Sequence, residues 1–317
     1  REGLSIFTIR SEDDRRKYGL NRLSIEYDDF RMGDLAILYD LSPAQAEIVE
    51  AFSGVPGSEV IGFFKSIDPE IFPVRDPAAS GVSEGSLAWK IRNSMGGPVR
   101  VLKSHIENIV NGNRAFFKPK GSSIPEIIAH LHDNRVVLVD IPDMSERSEL
   151  FVLSIITRTI MERHRSDART FGIDERQESA HQVLITIEEA QRVLASGGAS
   201  TQVFRECAME GRKFGVGLCV ITQQPKNIDP KVLAQINTFV VMGLGDRGDR
   251  DIIMGSAKQD LSRMEIEIQT LDRGEAIIST IGIPFPVSTR IHRFEDYIGV
   301  LNRSHAPPIS DGLERGF

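Results

Sequence analysis

Apolar runs alternate with amphipathic stretches along most of the chain. Five runs have the length and the Val- and Ile-rich composition of buried β-strands. They are residues 4–9 (LSIFTI), 135–140 (RVVLVD), 183–187 (VLITI), 216–222 (VGLCVIT) and 238–242 (TFVVM). Residues 274–280 and 286–291 predict a terminal strand pair. Because strand and helix patterns alternate, the expected fold is α/β with a mostly parallel sheet.

Helix-start signals lie between several of these runs. Residues 42–45 (SPAQ) combine an N-cap Ser, a Pro at the first helical position and a capping-box Gln, so we expect a helix over residues 43–52. Ser123 with Glu126 predicts a second capping box. Residues 150–163 place apolar side chains at helical spacing, which predicts an amphipathic helix. A further helix is expected over residues 201–213.

The pattern divides the chain into four segments. Strand and helix signals in residues 1–53 begin an α/β core, and residues 122–301 continue it. Residues 54–121 contain Gly- and Pro-punctuated amphipathic stretches in place of strands, which predicts a mostly helical insertion. Residues 302–317 are polar and predict a C-terminal tail. The chain starts with Arg1 almost directly before a strand, so we expect it to be the C-terminal part of a longer polypeptide.

Composition narrows the class of protein. The chain has 317 residues, is 40% hydrophobic and 26% charged, and has a formal net charge of −7. This balance is typical of a globular protein and argues against a histone-like nucleic-acid binder, although a local basic surface around a pore stays compatible with it. The two cysteines, Cys207 and Cys219, have no ligand-like spacing and predict free buried thiols in a reducing compartment. No apolar stretch approaches the length of a membrane span. We therefore expect a cytoplasmic protein without a membrane segment.

Two carboxylates follow the strand predicted for residues 183–187. Glu188 and Glu189 come at its C-terminal end, and open α/β sheets bind their ligands at that edge. One acid at this position can hold the water shell of a Mg²⁺ ion while its neighbour orients an attacking water. This arrangement is typical of a Walker B motif. The alternative is an ordinary acidic helix start.

A polar turn follows the next predicted strand. Gln223 lies in residues 222–225 (TQQP) and would be near the glutamates if the two strands are neighbours. Its amide can contact both a terminal phosphate and the attacking water. Between the two strands, Arg212 can supply a planar cation to a transferring phosphoryl group. Each element alone also fits a capped turn or a solvated helix end.

These residues resemble the HerA-type ATPases of the FtsK–HerA superfamily. The resemblance is carried by residues 183–191 (VLITIEEAQ), 210–216 (EGRKFGV), 217–244 (GLCVITQQPKNIDPKVLAQINTFVVMGL) and, more weakly, 135–145 (RVVLVDIPDMS) and 273–280 (RGEAIIST). It covers roughly residues 123–295 and, more weakly, residues 1–53. It implies a RecA-like P-loop NTPase core, a homo-hexameric ring, and ATP-driven translocation on double-stranded DNA beside a NurA-like or other nuclease, in DNA end processing or phage defence.

The resemblance also implies roles for single residues. Glu188 would lie near Mg²⁺, Glu189 would activate the water, and Gln223 would sense the phosphate of ATP. Arg212 would act across the ring interface, with Lys213 in support. Asp140 ends a predicted strand and can either reach the nucleotide or serve as a structural cap.

One part of the family pattern is missing. The phosphate loop G-x-x-x-x-G-K-[ST] does not occur in the chain, and that loop supplies most of the phosphate contacts. We expect it upstream of Arg1, and we expect the 317 residues alone not to hydrolyse ATP. Two alternatives stay open: a conjugation- or secretion-type ATPase, and a non-catalytic ring scaffold for a nuclease.

Overall fold

The computed structural model describes residues 3–170, 181–195 and 202–298. The chain divides into two compact units. Among the described residues, the first unit contains those up to Gln223 together with Asn227–Val232, and the second contains Gln224–Lys226 and those from Leu233 onward.

Parallel strands form the centre of the first unit. Strand β1 (Leu4–Thr8) pairs with β2 (Asn21–Arg22) on one side and with β5 (Val136–Asp140) on the other. A second parallel pair joins β6 (Val183–Ile187) to β7 (Val216–Val220). A short third pair joins β3 (Ile25–Glu26) to β4 (Phe117–Lys118).

Helices connect these strands and cover them. The first unit contains the following helices: α1 (Glu12–Tyr18), α2 (Leu35–Leu38), α3 (Pro43–Ala51), α4 (Gly57–Ser66), α5 (Pro77–Ser80), α6 (Leu87–Lys90), α7 (Gly96–Gly112), α8 (Ile124–His132), α9 (Glu146–Thr170) and α10 (Gln202–Glu210). A short helix α11 (Pro230–Leu233) follows β7. Helix α3 has the predicted capping box, in which Ser42 Oγ accepts from Gln45 N.

The long helix α9 is the main packing element of this unit. Ser145 Oγ accepts a hydrogen bond from Ser148 N at its start. Phe151, Val152 and Ile155 are fully buried one and three residues apart, as one apolar helix face requires. The helix packs against α2, α8 and α10. Its N-terminus follows the carboxyl end of β5.

The segment from 54 to 121 contains the helices α4 to α7, joined by loops and turns, and the strand β4. Aromatic rings fill its core, with Phe52, Phe63 and Phe64 within 5.3 Å of one another between ring centroids. Phe117 on β4 packs edge-on against Phe151 of α9 at 5.1 Å, so this segment shares one hydrophobic core with the parallel strands.

The second unit is an antiparallel sheet with two helices. Strand β9 (Glu275–Thr280) pairs on one side with β8 (Thr238–Val241) and on the other with β10 (Val287–Arg290). Helices α12 (Arg247–Ser256) and α13 (Glu265–Thr270) accompany this sheet, and buried side chains such as Phe239, Ile253 and Ile268 form its own core. The terminal strand pair predicted from the sequence is confirmed.

One local expectation was wrong, and one helix differs from its expectation in its last turn. Ser123 precedes α8, but its side chain makes no cap; Ser123 Oγ donates to Ser24 O and accepts from Ser24 N, because it ties α8 to the strand segment before β3. The helix expected over residues 201–213 is found as α10, which ends at Glu210 and continues as a 3-10 turn, Gly211–Phe214. The predicted tail, residues 302–317, lies outside the described residues, as do residues 171–180 and 196–201.

Several apolar side chains of the parallel strands are exposed. Leu4 and its register partner Val136 are 45% and 67% exposed, and Leu138, two residues along β5, is 50% exposed. On β6, Leu184 is 65% exposed. Among the described residues, β5 has no partner strand on its outer edge. No described helix is both long and apolar enough to cross a membrane.

Candidate functional site

Glu188 and Glu189 protrude from the β6–β7 ladder. Ile221 N donates to Ile187 O at 2.9 Å, and Ala190 N donates to Ile221 O at 3.0 Å. The two glutamates therefore lie between two successive bonds to the same residue, as in a bulge. Glu189 takes a left-handed backbone with φ of 49° and ψ of 39°. Both side chains are exposed at the carboxyl edge of the strands.

The carboxylate of Glu189 is contacted by two amides. Gln191 Nε2 donates to Glu189 Oε2 at 2.6 Å, and Gln223 Nε2 lies 3.5 Å from Glu189 Oε1. Thr222 Oγ1 donates to Gln191 Oε1 at 2.6 Å. The carboxyl ends of β6 and β7 thus meet in one polar network around Glu189, and the structure brings Glu189 and Gln223 together as the sequence predicted.

The donor set at this edge fits a magnesium ion that keeps most of its water. Glu188 makes no side-chain hydrogen bond or ion pair within the described chain, so both of its oxygens face solvent. In the same ranges, no group of three His, Cys, Asp or Glu side chains could hold a metal unaided. Mg²⁺ commonly takes one or two carboxylates and completes its shell with water and substrate phosphates, so a single free glutamate suffices.

Ion pairs join the site to the start of α9. Arg192, three residues after Glu189, lies 3.1 Å from a carboxylate oxygen of Glu149 and 3.6 Å from one of Glu146. Both acids lie in the first turn of α9, directly after β5. The carboxyl ends of β5 and β6 therefore lie on the same side of the first unit.

Asp140 at the end of β5 is engaged by neighbouring side chains. Arg10 Nε donates to Asp140 Oδ2 at 2.7 Å, and Thr8 Oγ1 donates to the same oxygen at 2.8 Å. The hydrogen bond from Arg10 is the main reason that the pKa of Asp140 lies below its usual value. Asp140 is thus held in an ion pair with Arg10, and the structure does not bring it into contact with Glu189.

Arg212 and Lys213 lie at the opposite end of β7. They belong to the 3-10 turn before that strand, whereas Gln223 follows it. Since a strand of five residues spans roughly 16 Å, neither cation reaches Glu189 of the same chain. Both side chains are exposed and have no hydrogen bond or ion pair within the residues described.

Helix α9 fixes the turn that presents these cations. Arg165 Nη2 lies 2.8 Å from Glu206 Oε1 and 3.3 Å from Glu210 Oε2 on α10. The ring nitrogen Nδ1 of His164 lies 3.1 Å from Phe214 O. The backbone of the turn is therefore anchored while its two cations stay free.

Sequence reasoning missed the roles of Gln191 and Thr222. Both stand inside the two motifs that drew attention to Glu189 and Gln223, so their position was visible. Their contact with each other across two strands was not, because it depends on the β6–β7 register and on the protruding glutamates.

Curated relatives match part of the chain in sequence. The DNA double-strand break repair helicase HerA of Pyrococcus furiosus is 32% identical over 123 residues, which cover 38% of this chain and 22% of the relative. The helicase of the same name from Saccharolobus solfataricus is 27% identical over 172 residues, covering 54% of this chain and 34% of the relative. The matches thus span about a fifth to a third of the relatives' length.

Solved structures extend the likeness to nearly the whole chain at the level of the fold. The bacterial conjugative coupling protein TrwB aligns with a TM-score of 0.58 at 11% identity, covering 92% of this chain and 75% of that protein. No protein-family profile matches the chain. The α/β fold of a P-loop NTPase, with mostly parallel strands in the first unit, is confirmed.

Proposed function

We infer that this chain is a HerA-type ATPase sequence of the FtsK–HerA superfamily, and we propose that the protein containing it is an ATP-driven motor on double-stranded DNA. The carboxylate of Glu189 beside Gln223, 3.5 Å apart at the carboxyl edge of β6 and β7, is the observation that carries the proposal. The names of the curated relatives, DNA double-strand break repair helicases, support duplex DNA as the track and DNA end processing as the setting.

The residues at this edge have different roles in ATP hydrolysis. Glu189 orients the attacking water and accepts its proton, and Gln223 contacts the terminal phosphate and that water. Glu188 holds water molecules of the Mg²⁺ shell. When bound, Mg²⁺ neutralises charge on the β- and γ-phosphates of ATP. The exposed, unpaired carboxylate of Glu188 supports this assignment.

Arg212 acts on a neighbouring subunit, with Lys213 in support. A planar guanidinium stabilises the charge of a transferring phosphoryl group, and Arg212 faces solvent at the end of β7 away from its own Glu189. A closed homo-hexamer would bring this cation to the next site around the ring. The anchored turn and its free cations support this arrangement.

We propose that a phosphate loop outside these 317 residues completes the site, and that the exposed apolar side chains of β1, β5 and β6 offer it a place. A strand at the free edge of β5 or beside β6 and β7, with a helix across Leu4, Val136, Leu138 and Leu184, would bury this apolar surface. We propose that the loop and its helix dock there. These residues expressed alone should then hydrolyse no ATP.

The test is ATP hydrolysis by the native protein, with and without duplex DNA. Glu189→Gln should lower kcat about 100-fold or more and leave ATP binding intact, because it removes a general base and no phosphate contact. Glu84→Gln, at an exposed acid of the helical segment, is the matched control and should change neither. Hydrolysis that survives Glu189→Gln would refute the assignment.

The macromolecule that stimulates ATP hydrolysis distinguishes a duplex-DNA translocase from the alternative functions. A HerA-type motor should bind duplex DNA with a steep dependence on salt and hydrolyse ATP faster when bound. Stimulation by single-stranded DNA or an unfolded protein alone would favour a conjugation- or secretion-type ATPase. No ATP turnover, together with retained binding of a nuclease, would favour a ring scaffold. A NurA-like nuclease is the partner to try first.

A further inference from the structure

The side chain of Gln191 bridges the ends of two strands. Its Nε2 lies 2.6 Å from Glu189 Oε2, and its Oε1 lies 2.6 Å from Thr222 Oγ1. Gln191 therefore connects Thr222, which follows β7, to Glu189, which follows β6. Both distances are at the short end of the hydrogen-bond range.

Chemistry fixes the direction of this chain of bonds. An ionised carboxylate only accepts hydrogen bonds, so the NH₂ group of Gln191 must face Glu189. The amide oxygen then faces Thr222, whose hydroxyl must donate. Thr222 thus selects the one orientation of the Gln191 amide that can support Glu189.

The two oxygens of Glu189 are held unequally. Oε2 receives the charge-assisted bond from Gln191, which is the stronger class of hydrogen bond. Oε1 lies at the limit of hydrogen-bond distance from Gln223, so its lone pairs stay open to another donor. Because Glu189 is exposed and protrudes from the ladder, packing alone does not fix its carboxylate.

We propose that Gln191, aimed by Thr222, is a positioning residue that holds one oxygen of Glu189 so that the other faces the attacking water beside Gln223. The inference rests on the proposed function, since it concerns the same site. It also implies that the support of Glu189 and the phosphate contact of Gln223 are coupled. Thr222 and Gln223 are consecutive residues after β7, so a shift of that strand end moves the support and the phosphate contact of Glu189 together.

Four substitutions in the native protein test this role. Gln191→Leu removes both bonds and Thr222→Val removes only the hydroxyl, with little change of volume in the second case. Each should lower kcat for ATP about tenfold and leave KM unchanged. Thr222→Ser keeps the donor and should retain parental kcat. Gln191→Glu places a second carboxylate against Glu189, so activity should be lost at a higher pH on the acidic side of the kcat profile.

A structural measurement gives a readout apart from hydrolysis. In crystal structures of the nucleotide-free native protein, the Glu189 carboxylate should hold one position in the parent and in Thr222→Ser. It should leave Gln223 or split between conformers in Gln191→Leu and Thr222→Val. Binding of a fluorescent ATP analogue with parental affinity shows that the variants are folded.

The outcomes of these experiments distinguish the positioning role of Gln191 from the proposed ATPase function. If the parent protein hydrolyses no ATP, the proposed function fails, while the crystal structures still test the support of Glu189. If the parent is an active ATPase and Gln191→Leu and Thr222→Val change neither kcat, nor its pH profile, nor the Glu189 conformer, the positioning role is overturned and the function stands.

Discussion

Glu188 and Glu189 are adjacent acids with different backbone conformations. Glu189 has a φ of 49°, in the left-handed region, whereas Glu188 is not among the described non-glycine residues with positive φ. A left-handed backbone costs an L-residue with a Cβ atom about 1–2 kcal/mol. The strain lies at the residue assigned to water activation, and the hydrogen bonds from Ile221 and Ala190 on either side of the glutamates hold it in place.

Replacing Glu189 by Gly should therefore stabilise the folded chain and abolish the proposed ATP hydrolysis. Relief of the left-handed strain outweighs the extra freedom of Gly in the unfolded chain, so we expect the free energy of unfolding to rise by about 0.5–1 kcal/mol. Glu188→Gly is the matched control and should lower it by about 0.5–1 kcal/mol. Urea denaturation followed by circular dichroism measures both. Equal destabilisation by the two variants would show that position 189 carries no strain.

The sequence predicted the scaffold of the site better than its contacts. The apolar runs at Val183–Ile187 and Val216–Val220 predicted two strands, whereas the pairing of these strands was a condition that only the structure supplied. The left-handed turn at Glu189 left no such signal, because a bulge depends on which partner atoms the neighbouring strand offers. For the same reason Ser123 met the pattern of a helix cap and instead bonded to Ser24, a residue 99 positions away.

The turn that presents Arg212 depends on Gly211. A Cβ atom at Gly211 would lie 2.4 Å from Val216 O and 3.5 Å from Cys207 Sγ. Gly211→Ala should therefore displace the turn and lower the free energy of unfolding by about 1–3 kcal/mol. Gly62→Ala is the control, since Gly62 lies within α4 with nothing near its missing Cβ, and it should raise stability by up to about 1 kcal/mol. Similar midpoints in urea for the two variants would contradict the close approach.

The two thiols should differ sharply in reactivity. Burial raises the pKa of Cys207 to about 11, so at pH 8 about one molecule in a thousand is ionised there, and its side chain is only 1% exposed. Cys219 is partly exposed and shares a sheet face with its register partner Thr186 and with Leu184. We expect iodoacetamide to label Cys219 and spare Cys207 in the native chain.

Mass spectrometry of tryptic peptides locates the label. Cys219→Ser should leave the native chain unlabelled, and urea should expose Cys207 in both proteins. An adduct on Cys207 under native conditions would contradict its burial. If the phosphate-loop segment docks on the exposed sheet face, Cys219 should also be protected in the native protein that contains this chain, and equal labelling there would argue against that docking.

Three histidines near the Arg212 turn predict a loss of stability in acid. The ring of His132 stacks on His181 at 4.5 Å between centroids and meets His164 edge-on at 5.5 Å. Burial is the main cause that lowers the pKa of both His132 and His164. The neighbouring histidines and Arg163 lower both values further, whereas Asp167 opposes the shift in each case and a bond to Phe214 O opposes it for His164.

The direction in which stability changes with pH follows from proton uptake by the histidines. A histidine whose pKa is lower in the folded chain binds fewer protons there than in the unfolded chain at pH values below about 6.5. The free energy of unfolding should therefore be constant above that pH and fall as the pH drops through the folded-state values. His164→Gln should flatten this fall, and it should do so more than His292→Gln, which removes an exposed histidine of the second unit. Urea titrations at pH 5.5 and 7.5 measure the difference in unfolding free energy between the two pH values. This difference should be smaller than the parent's in His164→Gln. It should equal the parent's in His292→Gln. An unchanged difference in His164→Gln would mean that the histidine cluster does not resist protonation.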